Sequence, residues 1–493
     1  MGLLPWLPLL LGLVLRLVNL SAPILGVHSW RQADTAGLAR NFHNQQLPIW
    51  LPQVDWGGAG PGFAETDFPI YSYAVSLLYN VFGVHEWLAR ALSLLCSLGA
   101  LWLIQRLGQR LLGREAGWWG ALFFAVLPLS VYYGRTVQPE ALLLLCSALA
   151  LERGLAWGQS GRRQDLALVG LGLGGAALIK VLPLFWLGVP LLWIAWCRYG
   201  PRIWRQPGLW LMALLVLAAT AGWYSHAHQL YLQTGLSFGF WGAKAARYSW
   251  TELLSLSYWG DILLRTSVRG LAVLGLPLLL LGLALPRRKP EEWLLPLGLG
   301  AVLLAGAVAP SSSHIHEYYQ LPLLLFACPL LGKGWVQLWR AAKPRGQLLL
   351  RLGLGLLLLT SLTVLSLDYW AKENPLGNPT WALAQRVQRE TPAGKPVLSV
   401  TGGDPTLLYL SGRKGWLQQP EGPSAPLLAE LAHQGASAVV GSWDWIENYN
   451  PFPDGPVKTQ LRQLLNAGIK TTAKTKPDYV VPLPLAGQGP KAP

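Results

Sequence analysis

The sequence predicts an all-α, multi-pass membrane protein of about 11 spans (11–13), followed by a small α/β domain. Three observations predict it. Charged residues make up 13% of the 493, about half the roughly 25% of a soluble domain. Charge-free stretches close to the length of a spanning helix recur through the first 370 residues. Beyond residue 370 charge returns and the long apolar runs stop. This composition excludes a disordered chain, a collagen-like chain and a disulfide scaffold. Cys96, Cys146, Cys197 and Cys328 all lie in apolar runs, without metal-ligand or disulfide spacing, and read as buried small hydrophobes.

Taken in order, the spans are placed near 3–20, 88–105, 116–133, 139–157, 165–180, 182–197, 208–225, 270–286, 293–309, 319–334 and 350–367. The first has no basic residue at its start and no small-x-small cleavage pattern after it, so it reads as a retained helix rather than a secretory leader. The pair at 165–197 reads as a hairpin of two short helices. Residues 21–87 form a long first loop, ending in a helix at 69–80. Residues 226–269 carry Trp241, Tyr248, Trp250, Tyr258 and Trp259, which suits one or two helices lying in the membrane interface. Together these make up a membrane domain over 1–370. In 371–493, strands are expected at Pro396–Val400 and Ala436–Val440 and helices at 380–391 and 424–435, an alternation that suggests a small α/β unit. Gly402-Gly403-Asp404-Pro405 reads as a plain turn, since no Gly-Lys-Ser/Thr follows. The ending Gly-Gln-Gly-Pro-Lys-Ala-Pro reads as frayed.

Orientation follows from charge. The short loops 106–115, 152–165, 198–205, 286–292 and 333–351 hold 17 Lys/Arg against 5 Asp/Glu. The opposite loops are longer and hold 9 of each. The overall charge of +15 is therefore a topology signal that puts the short loops in the cytoplasm. It does not form the single basic face expected of a nucleic-acid binder. The long loops and 371–493 then face outward.

Ionisable groups at membrane depth are costly and usually serve a cavity or a partner. Four clusters and one lysine fall on the outer side. His28-Ser-Trp30-Arg31-Gln32-Ala-Asp34-Thr35 places a guanidinium near a carboxylate, suited to positioning a phosphate and a hydroxyl together, or to a structural ion pair. Glu65-Thr-Asp67 suits a metal, sugar hydroxyls or a solvated turn in which Asp67 caps the following helix. Tyr132-Tyr133-Gly-Arg135-Thr136-Val-Gln138-Pro139-Glu140 offers an Arg fork for phosphate, or an Arg–Glu tie between helix ends. Ser311-Ser-Ser313-His314-Ile-His316-Glu317-Tyr318-Tyr319-Gln320 suits hydrogen bonding to substrate, interfacial packing, or a metal held by His314 and His316 with Asp67. Lys180 suits a lipid phosphate as a point charge, or simple snorkelling. Bases, acids and a His/Tyr group on one membrane face suit an anionic lipid headgroup and a chemical step on it.

Trp30-Arg-Gln-Ala-Asp-Thr-Ala with Ala39-Arg-Asn-Phe resembles the start of bacterial glycosyltransferase family 39 proteins. Asp67-Phe-Pro-Ile-Tyr, Arg135-Thr-Val-Gln-Pro-Glu and His316-Glu-Tyr-Tyr-Gln-Leu-Pro are similar to later blocks, in order, over roughly residues 5–370. That family has the GT-C fold, with the protein O-mannosyltransferases and the lipid A aminoarabinose transferases. The resemblance implies an inverting glycosyltransferase of hexosyl or pentosyl type. It would use a polyprenyl-phosphate sugar as donor and a membrane lipid, glycan or protein as acceptor, with no nucleotide. It implies Asp34 as catalytic base, with Asp67 or Glu65 as alternatives, because this chain has Asp34-Thr35 where many relatives have Asp-Glu. Arg31, Arg135, Lys180, Tyr318 and Tyr319 would hold the donor phosphate. Glu65, Asp67, Glu140, His314, His316 and Glu317 would bind substrate. No cofactor is identified, and a divalent cation is compatible with the acids and histidines. The resemblance also implies a bacterial inner (plasma) membrane.

A transporter or flippase of lipid-linked sugars is the rival class, and a non-catalytic lipid-sugar binder a third. A transporter would place charges near the bilayer midplane, on broken helices in two related halves. No such repeat is visible here, and the acids lie in outer loops.

Overall fold

A computed structural model describes residues 4–241, 250–418, 423–442, 463 and 478–483. Tyr248 and the ending 487–493 lie outside the described residues, as does the side chain of Trp250. The protein is mostly helical. Each of the eleven expected apolar stretches falls on a helix: Leu7–Leu17, Glu86–Leu112, Arg114–Val126 with Pro128–Tyr133, Glu140–Ser160, Arg163–Ile179, Pro183–Tyr199, Pro207–Thr234, Gly275–Ala284, Leu294–Val308, Leu323–Ala341 and Pro344–Val364. By length and composition, five of the described helices can cross a membrane. A sixth does so if Leu256–Gly270 and Gly275–Ala284, bent by 103°, form one span. The others are shorter: Arg163–Ile179 and Pro183–Tyr199 are 17 residues each, about 26 Å, a little under the roughly 30 Å hydrocarbon core.

The helices carry little charge because their outward faces meet apolar surroundings. On Pro207–Thr234, Leu211, Leu214, Leu215 and Leu217 are exposed, and on Pro344–Val364 so are Leu348, Leu349, Leu352, Leu356 and Leu359. In water such stripes would be a liability; against lipid tails they cost nothing. Inside, small residues let helices approach. A Cβ on Gly120 would lie 2.8 Å from the Cys328 carbonyl oxygen, so glycine is what lets Arg114–Val126 meet Leu323–Ala341. One buried charge sits in the last turn of the first helix. Arg16 is fully buried, donating to Ser97 Oγ at 2.8 Å, Ser130 Oγ at 2.7 Å and the carbonyls of Gly12 and Ala125. It ties the first helix to three others through polar groups rather than a carboxylate, as an intramembrane arginine must be satisfied by neighbours.

The first loop is structured. His28, with φ of 53°, precedes helix Ser29–Gln45, and the second helix runs Ile70–Phe82. Pro69 rather than Asp67 holds the cap position of that second helix, so Asp67 is free for other contacts. The stretch 226–269 begins as the end of Pro207–Thr234 and continues, where described, as the short helices Trp250–Leu253 and Leu256–Arg265.

Beyond residue 370, strands β1 (Val397–Val400), β2 (Gly415–Leu417), β3 (Ala438–Ser442) and β4 (Asp478–Pro482) form a sheet of order β2-β1-β3-β4. β1 is parallel to β2 and β3, and β4 is antiparallel to β3. Helices Pro379–Glu390 and Ala425–His433 accompany it, each capped by a side chain (Asn378 and Ser424). The sheet unit is stitched to the first loop. Gly415 N donates to the Asp55 carbonyl at 2.9 Å, and Gly58 N to the Gly415 carbonyl at 2.8 Å. Arg40 bridges Asp55 Oδ2 at 2.6 Å and the Tyr409 carbonyl at 3.2 Å.

Candidate active site

Two cavities lie where the first loop meets the bundle and the sheet unit. The first, about 390 Å³, is lined by residues from segments far apart in the chain, among them Arg31, Asp67, Lys180, Tyr224, His316 and Tyr318. Arg31 enters from the first turn of helix Ser29–Gln45. Its Nη2 lies 3.2 Å from Asp67 Oδ2, its Nη1 donates to the Phe238 carbonyl at 3.2 Å, and its guanidinium sits 4.1 Å from the centre of the Phe238 ring. Its Nε has no protein partner. Asp67 also accepts from Tyr224 Oη at 3.1 Å, and burial pushes its carboxyl above the usual range.

Lys180 follows the last turn of Arg163–Ile179. Its Nζ lies 2.5 Å from Glu140 Oε1 and 4.6 and 4.9 Å from the ring centres of Tyr318 and Tyr319. An ammonium has three N–H donors, so the contact to Glu140 leaves two for a ligand. His316 stacks on Tyr318 with centroids 5.3 Å apart and planes within 3°. Burial, then the neighbouring His28, Arg31 and Lys180, hold its imidazole down at about 3, so it is neutral at working pH.

The second cavity, about 700 Å³, lies between the first loop and the sheet unit. Its polar lining includes His28, Ser29, Lys372, Asn378, Thr401 and Asp404. Burial raises the Asp404 carboxyl above the usual range. Trp30 lines both cavities. His28, on the second, meets His316, on the first, edge to face at 5.3 Å. The partition between the cavities is therefore His28, Trp30 and His316.

The expected site residues divide into two sets. Arg31, Asp67, Lys180, His316, Tyr318 and Tyr319 converge on the first cavity. The others support it or stand apart. Asp34 lines neither cavity; it lies one turn beyond Trp30 on the same helix and accepts from Trp56 Nε1 at 2.8 Å. Burial, resisted by that hydrogen bond and by Arg31, pushes its carboxyl up to about 8. Glu65 is fully buried and turned to the backbone. It accepts from Phe240 N at 2.6 Å, Gly239 N at 3.2 Å and the Ser237 hydroxyl. It fixes the 237–240 segment that walls the cavity. Glu140 holds Lys180. Arg135 does not reach the cavity, because Glu373 takes it: Nη2 to Oε2 is 2.6 Å, with both side chains fully buried. Glu317 accepts from Tyr133 and Tyr369 at 2.8 and 2.9 Å and pairs with Arg269. His314 lies between Glu252 and Asp261 at 2.9 and 3.0 Å, which raise its proton affinity. Among the described residues no three His, Cys, Asp or Glu side chains are grouped to hold a metal ion: Asp67 and His316 share a cavity, but His314 belongs elsewhere.

Sequence reasoning missed Phe238, Tyr224 and Asp404. Gly239 carried a faint signal: a Cβ there would run into the Glu65 carboxylate.

Residues 66–226 match the family model described as dolichyl-phosphate-mannose-protein mannosyltransferase. No curated protein matches the sequence. Among solved structures, ArnT from Cupriavidus metallidurans bound to undecaprenyl phosphate aligns over 89% of this chain and 93% of its own, with a TM-score of 0.64 and 15% identity. The archaeal oligosaccharyltransferase AglB from Archaeoglobus fulgidus, in complex with an inhibitory peptide and a dolichol-phosphate, aligns over 89% and 69%, with a TM-score of 0.58 and 11% identity. The arabinofuranosyltransferase AftD from Mycobacteria aligns over 89% and 35%, with a TM-score of 0.53 and 18% identity. This chain therefore has the GT-C fold of those glycosyltransferases, with a segment similar to the protein mannosyltransferase family.

Proposed function

We propose that this protein is a multi-pass membrane glycosyltransferase that moves a hexosyl or pentosyl group from a polyprenyl-phosphate donor to an acceptor hydroxyl or amine. The transfer takes place on the outer face of a bacterial inner membrane. One observation carries the reading: Arg31, Lys180 and Tyr318 converge on a cavity about the size of a phosphosugar headgroup, walled by Phe238 and Phe240. The structural likeness to ArnT bound to undecaprenyl phosphate and the asymmetry of the loop charges support it. In this reading the eleven apolar helices span the membrane, and 371–493 forms an outer domain that closes the second cavity over the acceptor.

The donor phosphate sits against Arg31 Nε, the free donors of Lys180 and the Tyr318 and Tyr319 rings. The sugar faces Asp67 and His316. The acceptor enters from the second cavity, past Trp30. Its oxygen or nitrogen bonds to the anomeric carbon as the bond from that carbon to the phosphate oxygen breaks. The acceptor proton goes to Asp34, which lies one turn behind Trp30 and takes it up once the hydrogen bond from Trp56 is released, and the polyprenyl phosphate leaves with the electron pair. A carboxyl with a proton affinity near 8 is matched to base work at neutral pH. Arg31 and Lys180 stabilise the charge that develops on the leaving oxygen, an effect worth about 3 kcal/mol per preorganised donor. A single displacement with no covalent sugar–enzyme intermediate gives inversion.

The test pairs wild type with Asp34→Asn in liposomes containing polyprenyl-phosphate sugars and a membrane extract as acceptor. Donor loss and glycosylated product are followed. Turnover by wild type alone, with donor binding retained in the variant, supports both the transferase reading and the base. Equal turnover by both moves the base to Asp67. No donor consumption with labelled lipid crossing the bilayer replaces the reading with a transporter.

A further inference from the structure

A third cavity lies away from both of those above. It is an open groove of about 250 Å³ between helices Glu140–Ser160, Arg163–Ile179, Pro183–Tyr199 and Pro207–Thr234. Its walls are almost wholly apolar: Leu166, Val169, Leu173, Leu191, Met212 and Trp210 are typical. Lys180 and the donor cavity stand at one end of Arg163–Ile179, and the groove reaches toward the other end, 17 residues or about 26 Å away.

That far end is strongly basic. Arg162 and Arg163 start one bordering helix. Arg198 ends the next, and Arg202 and Arg205 lie in the turn Gly200–Arg205 that leads into Pro207–Thr234. All five are exposed. Of the acids nearby, Asp165 is engaged with Arg153 at 3.1 Å and Glu152 with Arg106, Arg110 and Arg153, and Glu291, close to Cys197, leaves the five arginines in clear excess. Indoles frame the rim. Trp204 stacks on Trp210 with centroids 5.3 Å apart and planes within 4°, and Trp196, two residues before Arg198, is exposed. An apolar slot at membrane depth, an interfacial tryptophan pair and a strongly net-positive arginine rim match, from tail to head, an anionic phospholipid.

We infer that this groove is a binding site for one acyl chain of an anionic membrane phospholipid, whose headgroup phosphate is held by Arg198, Arg202 and Arg205. The site lies on the face opposite the donor cavity, so its occupant is a resident lipid of the other leaflet rather than the sugar donor. It braces four helices whose mutual packing leaves a gap there.

The test uses native mass spectrometry of the full chain, purified in detergent and offered equal phosphatidylglycerol and phosphatidylcholine. Each interfacial arginine is worth about five-fold in anionic-lipid affinity. Wild type should therefore retain phosphatidylglycerol in clear preference, and Arg202→Gln/Arg205→Gln should reduce that preference by roughly 25-fold. Gly188 lines the groove and a Cβ there meets no atom within 4 Å, so Gly188→Leu fills the slot without moving the backbone. It should lose the retained lipid while keeping wild-type thermal unfolding. Equal retention of the two lipids by wild type, an unchanged preference in the double arginine variant, or undiminished retention in Gly188→Leu would each overturn the site.

Discussion

Replacing Lys180 with Met separates two roles that one side chain plays. Lys180 Nζ pairs with Glu140 Oε1 at 2.5 Å, and Glu140 Oε2 has no protein partner among the described residues. Glu140 is 1% exposed. Lys180→Met therefore strands a buried carboxylate with neither oxygen paired, which costs about 3–5 kcal/mol of stability. It also removes the point charge nearest the rings of Tyr318 and Tyr319, where the leaving phosphate is expected. Losing one preorganised group of that kind lowers kcat by about 10²–10³. Adding Glu140→Gln removes the stranded charge. Thermal unfolding of the double variant should return most of the way to wild type, while turnover of polyprenyl-phosphate sugar stays depressed by the same 10²–10³. Unfolding is read by circular dichroism in detergent, and turnover by release of polyprenyl phosphate. If the double variant recovers turnover together with stability, Lys180 serves only to neutralise Glu140, and the phosphate must be held by Arg31 alone.

Other outcomes follow from the same geometry. The Asp34 carboxyl rises from 3.8 to about 8 in the fold, so the native state binds the extra proton across that window. Stability should fall as pH rises from about 4 to 8, and Asp34→Asn should flatten that fall in a series of unfolding midpoints. With Asp34 as base, wild-type turnover should climb through an apparent pKa near 8, a limb that Asp67→Asn would leave in place. Arg135→Met should cost about 3–5 kcal/mol by stranding Glu373, and Arg135→Met/Glu373→Met should recover it with donor affinity unchanged; a loss of donor affinity without destabilisation would return Arg135 to the phosphate site. Glu65→Gln turns an amide NH₂ toward at least one of the backbone N–H groups it now accepts, at about 1–3 kcal/mol. The donor KM should rise by about tenfold or more as the 237–240 wall shifts, measured beside an unchanged circular dichroism spectrum.

The helices were legible because a low-dielectric surrounding forbids charge over about 20 residues, and that prohibition is written directly in the sequence. The convergence of Arg31, Asp67, Lys180, His316, Tyr318 and Tyr319 was legible for the same reason, since polar clusters were confined to the ends of the apolar stretches. Partner choice was not. Arg135 and Glu373 lie 238 residues apart, and nothing in either neighbourhood says that a fork suited to phosphate will close on a carboxylate beyond the last apolar helix. Glu65 and Asp67, two residues apart, read as a pair. The backbone instead turns Glu65 toward the amides of Gly239 and Phe240 and Asp67 toward Arg31. The buried Arg16 escaped notice because its partners are hydroxyls and carbonyls, which carry no charge pattern.

The partition between the two cavities bears on which acceptors can react. Trp30 borders both spaces, and His28 and His316 meet across it at 5.3 Å. Both imidazoles are held below their ordinary proton affinity, burial being the largest cause, so the wall is neutral and aromatic between a cationic donor cavity and a hydroxyl-rich one. Under the proposed transfer, a neutral wall would let a sugar ring stack without drawing the donor phosphate across, and so would keep the anomeric carbon at the boundary. Most of the second cavity's lining comes from beyond residue 370, including Thr401, Asp404 and Ser442. The sheet unit is held to the first loop by Arg40, Asp55 and Gly415. Arg40→Ala should thus act on the acceptor and spare the donor, because it loosens the lid of one cavity and touches no residue of the other. The acceptor KM should rise while the donor Kd stays within about two-fold, a shift of under 0.5 kcal/mol. A matching loss in donor affinity would mean that the two cavities open and close as one.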